Sequence, residues 1–173
     1  QRGGYNVGWY LATCATHMRT ARLSGVAAML RVLCGYEEGD PEATLSAVRP
    51  RLRALGFADD NLRTLMGLVR AGYDDGPDYG DAFADRVSMA LAYMMAKLSD
   101  DRLHVLAWDD VQAMDETSRT VLASAALSVA HCRVVILTAG SFGEHAADAT
   151  PARDFLSIPP ATLQARGIQS HAL

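Results

Sequence analysis

Apolar and polar positions follow two rhythms along this chain, and the switch points between them mark its elements. Residues 5–13, YNVGWYLAT, concentrate aromatic and β-branched types and predict a strand. From Ser24 the rhythm lengthens. Val26, Met29, Leu30 and Leu33 share one helical face, with Ser24 placed to cap the helix and Gly35 to close it. Asp40-Pro41 opens a second helix, a cap followed by proline in the first turn. Pro50 lacks a donor and crowds the preceding turn, so a kink or division is expected there. A third helix begins at Asp59 or Asp60, carries Leu62, Leu65, Met66 and Val69, and ends at Gly72. Residues 72–80, GYDDGPDYG, read as a loop; their aspartates lack the spacing and closing Glu of an EF-hand. Phe83, Val87, Leu91, Met94 and Leu98 then form a fourth helical stripe, with Met89 and Met95 as further packing residues.

The period shortens again at Leu103. The apolar run Leu103 to Trp108 ends abruptly in Asp109-Asp110, as a buried parallel strand does when polar residues gather at its carboxyl end. Asp115 is placed to cap a helix over residues 116–130, with Glu116 in its first turn. Residues 133–138 give another short buried strand. Two strands joined by one helix make a βαβ unit, right-handed by rule. Functional groups of open α/β sheets collect outside the carboxyl ends of the strands. An Asp pair there can hold a hydrated Mg²⁺ through one carboxylate and polarise a water with the other. Asp-Asp is also a common turn and cap dipeptide, and the pair alone leaves both readings open.

Composition narrows the picture modestly. The 173 residues suit one domain, or part of a larger one. With 50% hydrophobic and 21% charged residues, the composition is that of an ordinary globular chain. A formal charge of −4 with no basic stretch argues against direct nucleic-acid binding. No signal peptide or bilayer-length apolar run is present, which argues against a membrane and for a cytoplasmic location. Cys14, Cys34 and Cys132 lack ligand spacing and read as reduced thiols. There is no GxSxG and no HExxH, so a self-contained active site of those kinds is excluded; His104, inside the apolar strand, reads as a core histidine making one hydrogen bond.

Residues 109–122, DDVQAMDETSRTVL, resemble the Walker B segment of the signal-transducing P-loop ATPases, the STAND branch close to AAA+ proteins. In that family an apolar strand ends in two acids, followed by an apolar residue, His or Gln, a Trp, a small residue and Asp. Asp109, Asp110, Val111, Gln112 and Asp115 fit; Ala113 stands where the family usually has Trp. The resemblance runs from about residue 5 to the end, but only this segment is specific. It implies an α/β fold, a partial P-loop NTPase-like parallel sheet with a large helical insertion. Residues 5–13 would be a strand, 22–98 the insertion, 102–138 the Walker B βαβ unit and 139–173 a C-terminal segment. It also implies roles: Asp109 for the metal, Asp110 for catalysis and Thr138 for hydrogen bonding to a phosphate or water. The family often has Gly-Thr-Tyr-Arg after the strand matching 133–138; here the run is Thr138-Ala139-Gly140-Ser141, without the Arg, which puts hydrolysis in more doubt than switching.

The phosphate loop G-x-x-x-x-G-K-[ST] is absent from the sequence. In the family it precedes the strand that residues 5–13 resemble, so the expectation is a Walker B-containing portion of a larger bacterial regulator. Such regulators join the ATPase to Ser/Thr kinase, cyclase or LuxR-type DNA-binding domains. ATP and Mg²⁺ would be cofactors of the parent protein only, and the other domains of the same polypeptide its partners. A helical protein-interaction module with a structural Asp pair is the alternative. The family's phosphate-loop strand lies beside the one matching 133–138. Without it, the apolar edge Val134 to Leu137 is expected to be covered by a second copy, by residues 155–158 or by a rearranged N-terminal strand.

Overall fold

The structure, a computed structural model, describes residues 6–35, 41–54, 56–70 and 80–140. Three strands form one parallel sheet in the order β1 (Val7–Thr13), β2 (Leu103–Asp109), β3 (Val134–Thr138). Five helices accompany them: α1 (Ser24–Cys34), α2 (Pro41–Ala54), α3 (Asp59–Arg70), α4 (Asp81–Leu98) and α5 (Glu116–Ser128). The chain is therefore α/β, with α5 joining the central strand β2 to its parallel neighbour β3. Among the described residues, no helix is long and apolar enough to cross a membrane.

Register sorts the strand residues into two faces. Tyr10, Leu106 and Ile136 stand side by side, as do Ala12 and Trp108, and this face packs into the core. All five helices contribute to that core: Leu30 and Met29 from α1, Val48 and Leu52 from α2, Leu65 and Leu68 from α3, Leu91 and Met95 from α4, Leu122 from α5. Trp108 and Leu106 are completely covered, and the Trp108 indole N–H donates to the Gly25 carbonyl (3.0 Å). The other face carries Trp9, Val105 and Val135 in one row and Leu11, Ala107 and Leu137 in the next. Trp9 is 68% exposed and Leu11 60%. Val105, in the central strand, is 5% exposed but lies outside the core that the helices build.

His104 lies on the helical face, 1% exposed, with its ring stacked on Tyr10 (centroids 5.7 Å apart). Its Nε2 sits 3.2 Å from Asp101 Oδ1; the ionised carboxylate can only accept, so Nε2 carries the proton. The ring presses on the backbone of β1 so closely that a Cβ at Gly8 would stand 2.5 Å from Nδ1. Glycine at this strand position marks a close approach.

Several elements depart from the sequence expectation. Ser24 is the first residue of α1, not its cap; Leu23 takes that position with φ 64°, and the Ser24 hydroxyl donates to Asp115. Pro50 does not divide α2, which runs on through it to Ala54. Val48 and Leu52 on either side are both buried in one core, and their anchorage outweighs a single missing donor. Met89 is 71% exposed, because the buried stripe Val87, Leu91, Met94 turns it to the opposite side of α4. Arg133 is not part of β3; its guanidinium caps the end of α4, donating to the Ser99 carbonyl (2.9 Å) and the Asp100 carbonyl. α5 stops at Ser128 rather than 130.

Of the expected covers for the β3 edge, the N-terminal strand pairs with the far side of β2 instead. Among the described residues β3 has no outer neighbour. Residues 155–158, most of the 72–80 loop and all of the C-terminal segment beyond Gly140 lie outside the described residues.

Candidate functional site

The three strands end at one edge of the sheet, and the residues singled out from the sequence are found there. Asp109 is the last residue of β2, paired in register with Thr13 of β1; Thr138 ends β3 opposite Trp108. Asp109, Asp110, Thr13 and Thr138 are all exposed. Strand alternation separates two of them. Thr138 shares the face of Trp108, toward the helices, whereas Asp109 shares the face of Trp9 and Leu11.

The backbone holds the acid pair closely. The Cys14 N–H donates to the Asp109 carbonyl (2.9 Å), Ala139 N–H to the Trp108 carbonyl (2.8 Å) and Val111 N–H to the Ala139 carbonyl (3.0 Å). Both neighbouring strands thus fix the turn that carries the pair. Asp110 sits in the left-handed region (φ 54°, ψ 40°), which Asp tolerates better than most residues. Its own N–H donates to Asp109 Oδ1 (2.9 Å), and Gln112 Nε2 donates to Asp110 Oδ1 (3.0 Å). Each carboxylate keeps further acceptor capacity for an outside group.

Behind the pair lies Cys14, 2% exposed, whose thiol is pushed up to about 11 by burial first and then by Asp115, Asp110 and Asp109. It stays protonated at neutral pH and is no nucleophile. Asp115, in contrast with the pair, is buried and fully engaged. Its Oδ1 accepts from the N–H groups of Leu23 (2.9 Å) and Ser118 (2.8 Å), and its Oδ2 from the Ser24 hydroxyl (3.0 Å) and Gly25 N–H (3.3 Å). The cap on α5 is therefore present as the sequence suggested. The same carboxylate also serves the start of α1, some 90 residues earlier in the chain. Sequence reasoning missed that second role, and Leu23 with it, since no local pattern announces a contact of such range.

As a metal site the arrangement is incomplete by itself. Among the described residues, no group of three or more His, Cys, Asp or Glu side chains could hold an ion. Two adjacent carboxylates suit a Mg²⁺ that keeps several waters and shares the rest of its sphere with phosphates, not a protein-only cage. Comparison with family models, curated proteins and solved structures finds no match for this chain.

Proposed function

We propose that this chain is the Walker B-containing portion of an ATP-dependent signalling switch within a larger regulatory protein. The observation that carries the reading is the exposed Asp109-Asp110 pair at the carboxyl end of the central strand of a parallel sheet. That is where open α/β sheets place ligands. In this reading Asp109 holds Mg²⁺, which would supply charge neutralisation to the nucleotide phosphates, Asp110 orients and deprotonates the attacking water, and Thr138 reaches a phosphate or that water from β3. The chain alone binds no ATP, because affinity comes chiefly from a phosphate loop it does not contain.

The exposed apolar residues Trp9, Leu11 and Leu137 on the other sheet face support the same reading. The chain steps from β1 to β2 to β3 in one direction, with its helices on one face. Parallel crossovers share one hand, so a helix on the opposite face belongs to a connection running the other way. Two arrangements satisfy this: a strand beyond β3 that feeds through a helix into β1, or a strand beyond β1 reached from β3. The STAND resemblance selects the first. Such a βα unit would cover the outer edge of β3 and rest its helix on Trp9 and Leu11. The helix would begin at the carboxyl edge, beside Asp109, where its N–H groups can receive phosphate. The helical block α1 to α4 then corresponds to the insertion before the Walker B strand.

One observation favours a second reading, a helical interaction module. The pair makes hydrogen bonds of its own, Asp110 N–H to Asp109 and Gln112 to Asp110, as an ordinary turn would. Mutation of the parent protein separates the two. Asp110→Asn is expected to leave nucleotide binding intact and slow turnover at least tenfold, since the amide cannot take a proton. Asp109→Asn is expected to raise the Mg²⁺ concentration needed. Parent-like ATP hydrolysis by both variants would establish the turn.

A further inference from the structure

The start of α1 is joined to the acid-pair turn by hydrogen bonds and by close packing. Asp115 accepts four hydrogen bonds there, from Leu23, Ser24 and Gly25 on one side and Ser118 on the other. Ser118 Oγ accepts from Val26 N–H (3.2 Å), and Trp108, next to the pair, donates its indole N–H to Gly25. Met114 fills the space above Gly25 so tightly that a Cβ would lie 2.7 Å from its Cγ. Leu23, fully buried, is held at φ 64°, a conformation few branched side chains adopt without such restraint. At its other end α1 meets α3, where Arg31 Nε donates to the Val69 carbonyl (3.2 Å).

We propose that α1 is a lever between the helical block and the acid pair, and that Asp115 is the latch coupling its first turn to the 109–115 turn. Asp115 is a positioning residue: its carboxylate bonds Leu23, Ser24, Gly25 and Ser118, and fixes the turn of Asp109 and Asp110 through α1. A displacement of α3 against the sheet is thereby felt at Asp110. The significance of this for signalling rests on the nucleotide reading above, whereas the coupling itself does not.

Residue-resolved hydrogen exchange on this chain, without nucleotide, tests it. Asp115→Asn keeps one acceptor and turns an amide NH₂ toward the Gly25 N–H and Ser24 hydroxyl. It should speed exchange at Leu23, Gly25 and Ser118, whose N–H groups bond the carboxylate. The lever predicts at least a tenfold increase also at Val111 and Ala113, whose N–H groups bond Ala139 and Asp110 within the acid-pair turn and not Asp115, while Leu65 and Leu68 of α3 keep their rates. Gly25→Ala, pressing on Met114 from the α1 side, should do the same, and Ser24→Ala carries the test should Asp115→Asn not fold. Acceleration confined to residues 23–25 and 118, with Val111 and Ala113 within twofold of the parent, would reduce Asp115 to a local cap and overturn the proposal. Because no nucleotide is present, this result stands whether or not the parent protein binds ATP.

Discussion

The two faces of the sheet are built from the same three strands and both carry large apolar side chains, yet those of the outer strands have opposite fates. Trp108 on one face is 1% exposed and hydrogen-bonded; Trp9 on the other is 68% exposed. Tyr10 and Leu106 lie under helices, whereas Leu11 and Leu137 do not. An apolar residue reports that a position suits burial; whether it is buried depends on which way the crossovers run. Parallel sheets are ordinarily covered on both sides. On this face Trp9, Leu11 and Leu137 remain exposed while Val105 between the outer strands is buried.

The largest expected effect comes from swapping the two tryptophans' fortunes. Trp108→Ala should cost about 3–5 kcal/mol, through lost packing and the lost indole hydrogen bond to Gly25, while Trp9→Ala should stay within roughly 0.5 kcal/mol. Urea denaturation of both variants measures the contrast. Equal losses would mean that Trp9 is covered in solution, by another part of the chain or by a second copy.

The next is the close approach on the covered face. Gly8→Ala places a methyl group against His104, which cannot retreat from beneath Tyr10 and α-helical packing, so a loss of roughly 1–3 kcal/mol is expected. Should the thermal midpoint be unchanged, the ring has room to move and the covered face is less tightly filled than described.

The smallest effect concerns protons. Cys14 and Cys34 are both pushed up to about 11 from the ordinary 9.0, Cys14 by burial and the three aspartates, Cys34 by burial alone. Their folded values lie above the unfolded ones, so burial favours the protonated thiols. That stabilisation is complete below about pH 9 and is lost as pH rises through 11. The urea midpoint should fall across this window and fall less in a Cys14→Ala, Cys34→Ala variant; identical pH profiles would show that neither thiol contributes.

Much of the architecture was legible in the sequence, because periodicity reports local burial. The stripe Val87, Leu91, Met94 and the runs ending at Thr13, Asp109 and Thr138 all became the elements they suggested. What escaped was set by distant contacts. Ser24 looks like a cap from its neighbours, but Asp115 draws its hydroxyl away and leaves Leu23 in the cap position. Met89 looks like packing material until α4 is oriented by its other residues. For the site, the position of Asp109-Asp110 at a strand end was readable, whereas the left-handed turn of Asp110 and its support by both neighbouring strands were not.

The latch also has a consequence for how the chain is made. A ribosome delivers β1 and the start of α1 long before Asp115, which follows Leu23 by 92 residues. At about 5–20 residues per second, the interval is on the order of 5–18 s. Throughout it, Leu23 and Gly25 have no carboxylate to receive their N–H groups, and for most of it β1 has no strand beside it, since β2 is made only shortly before Asp115. The N-terminal part of the chain must wait, with Trp9 and Leu11 in the open, for a sheet whose middle strand arrives after its edge. Nascent-chain crosslinking from Trp9 would find chaperones during that pause.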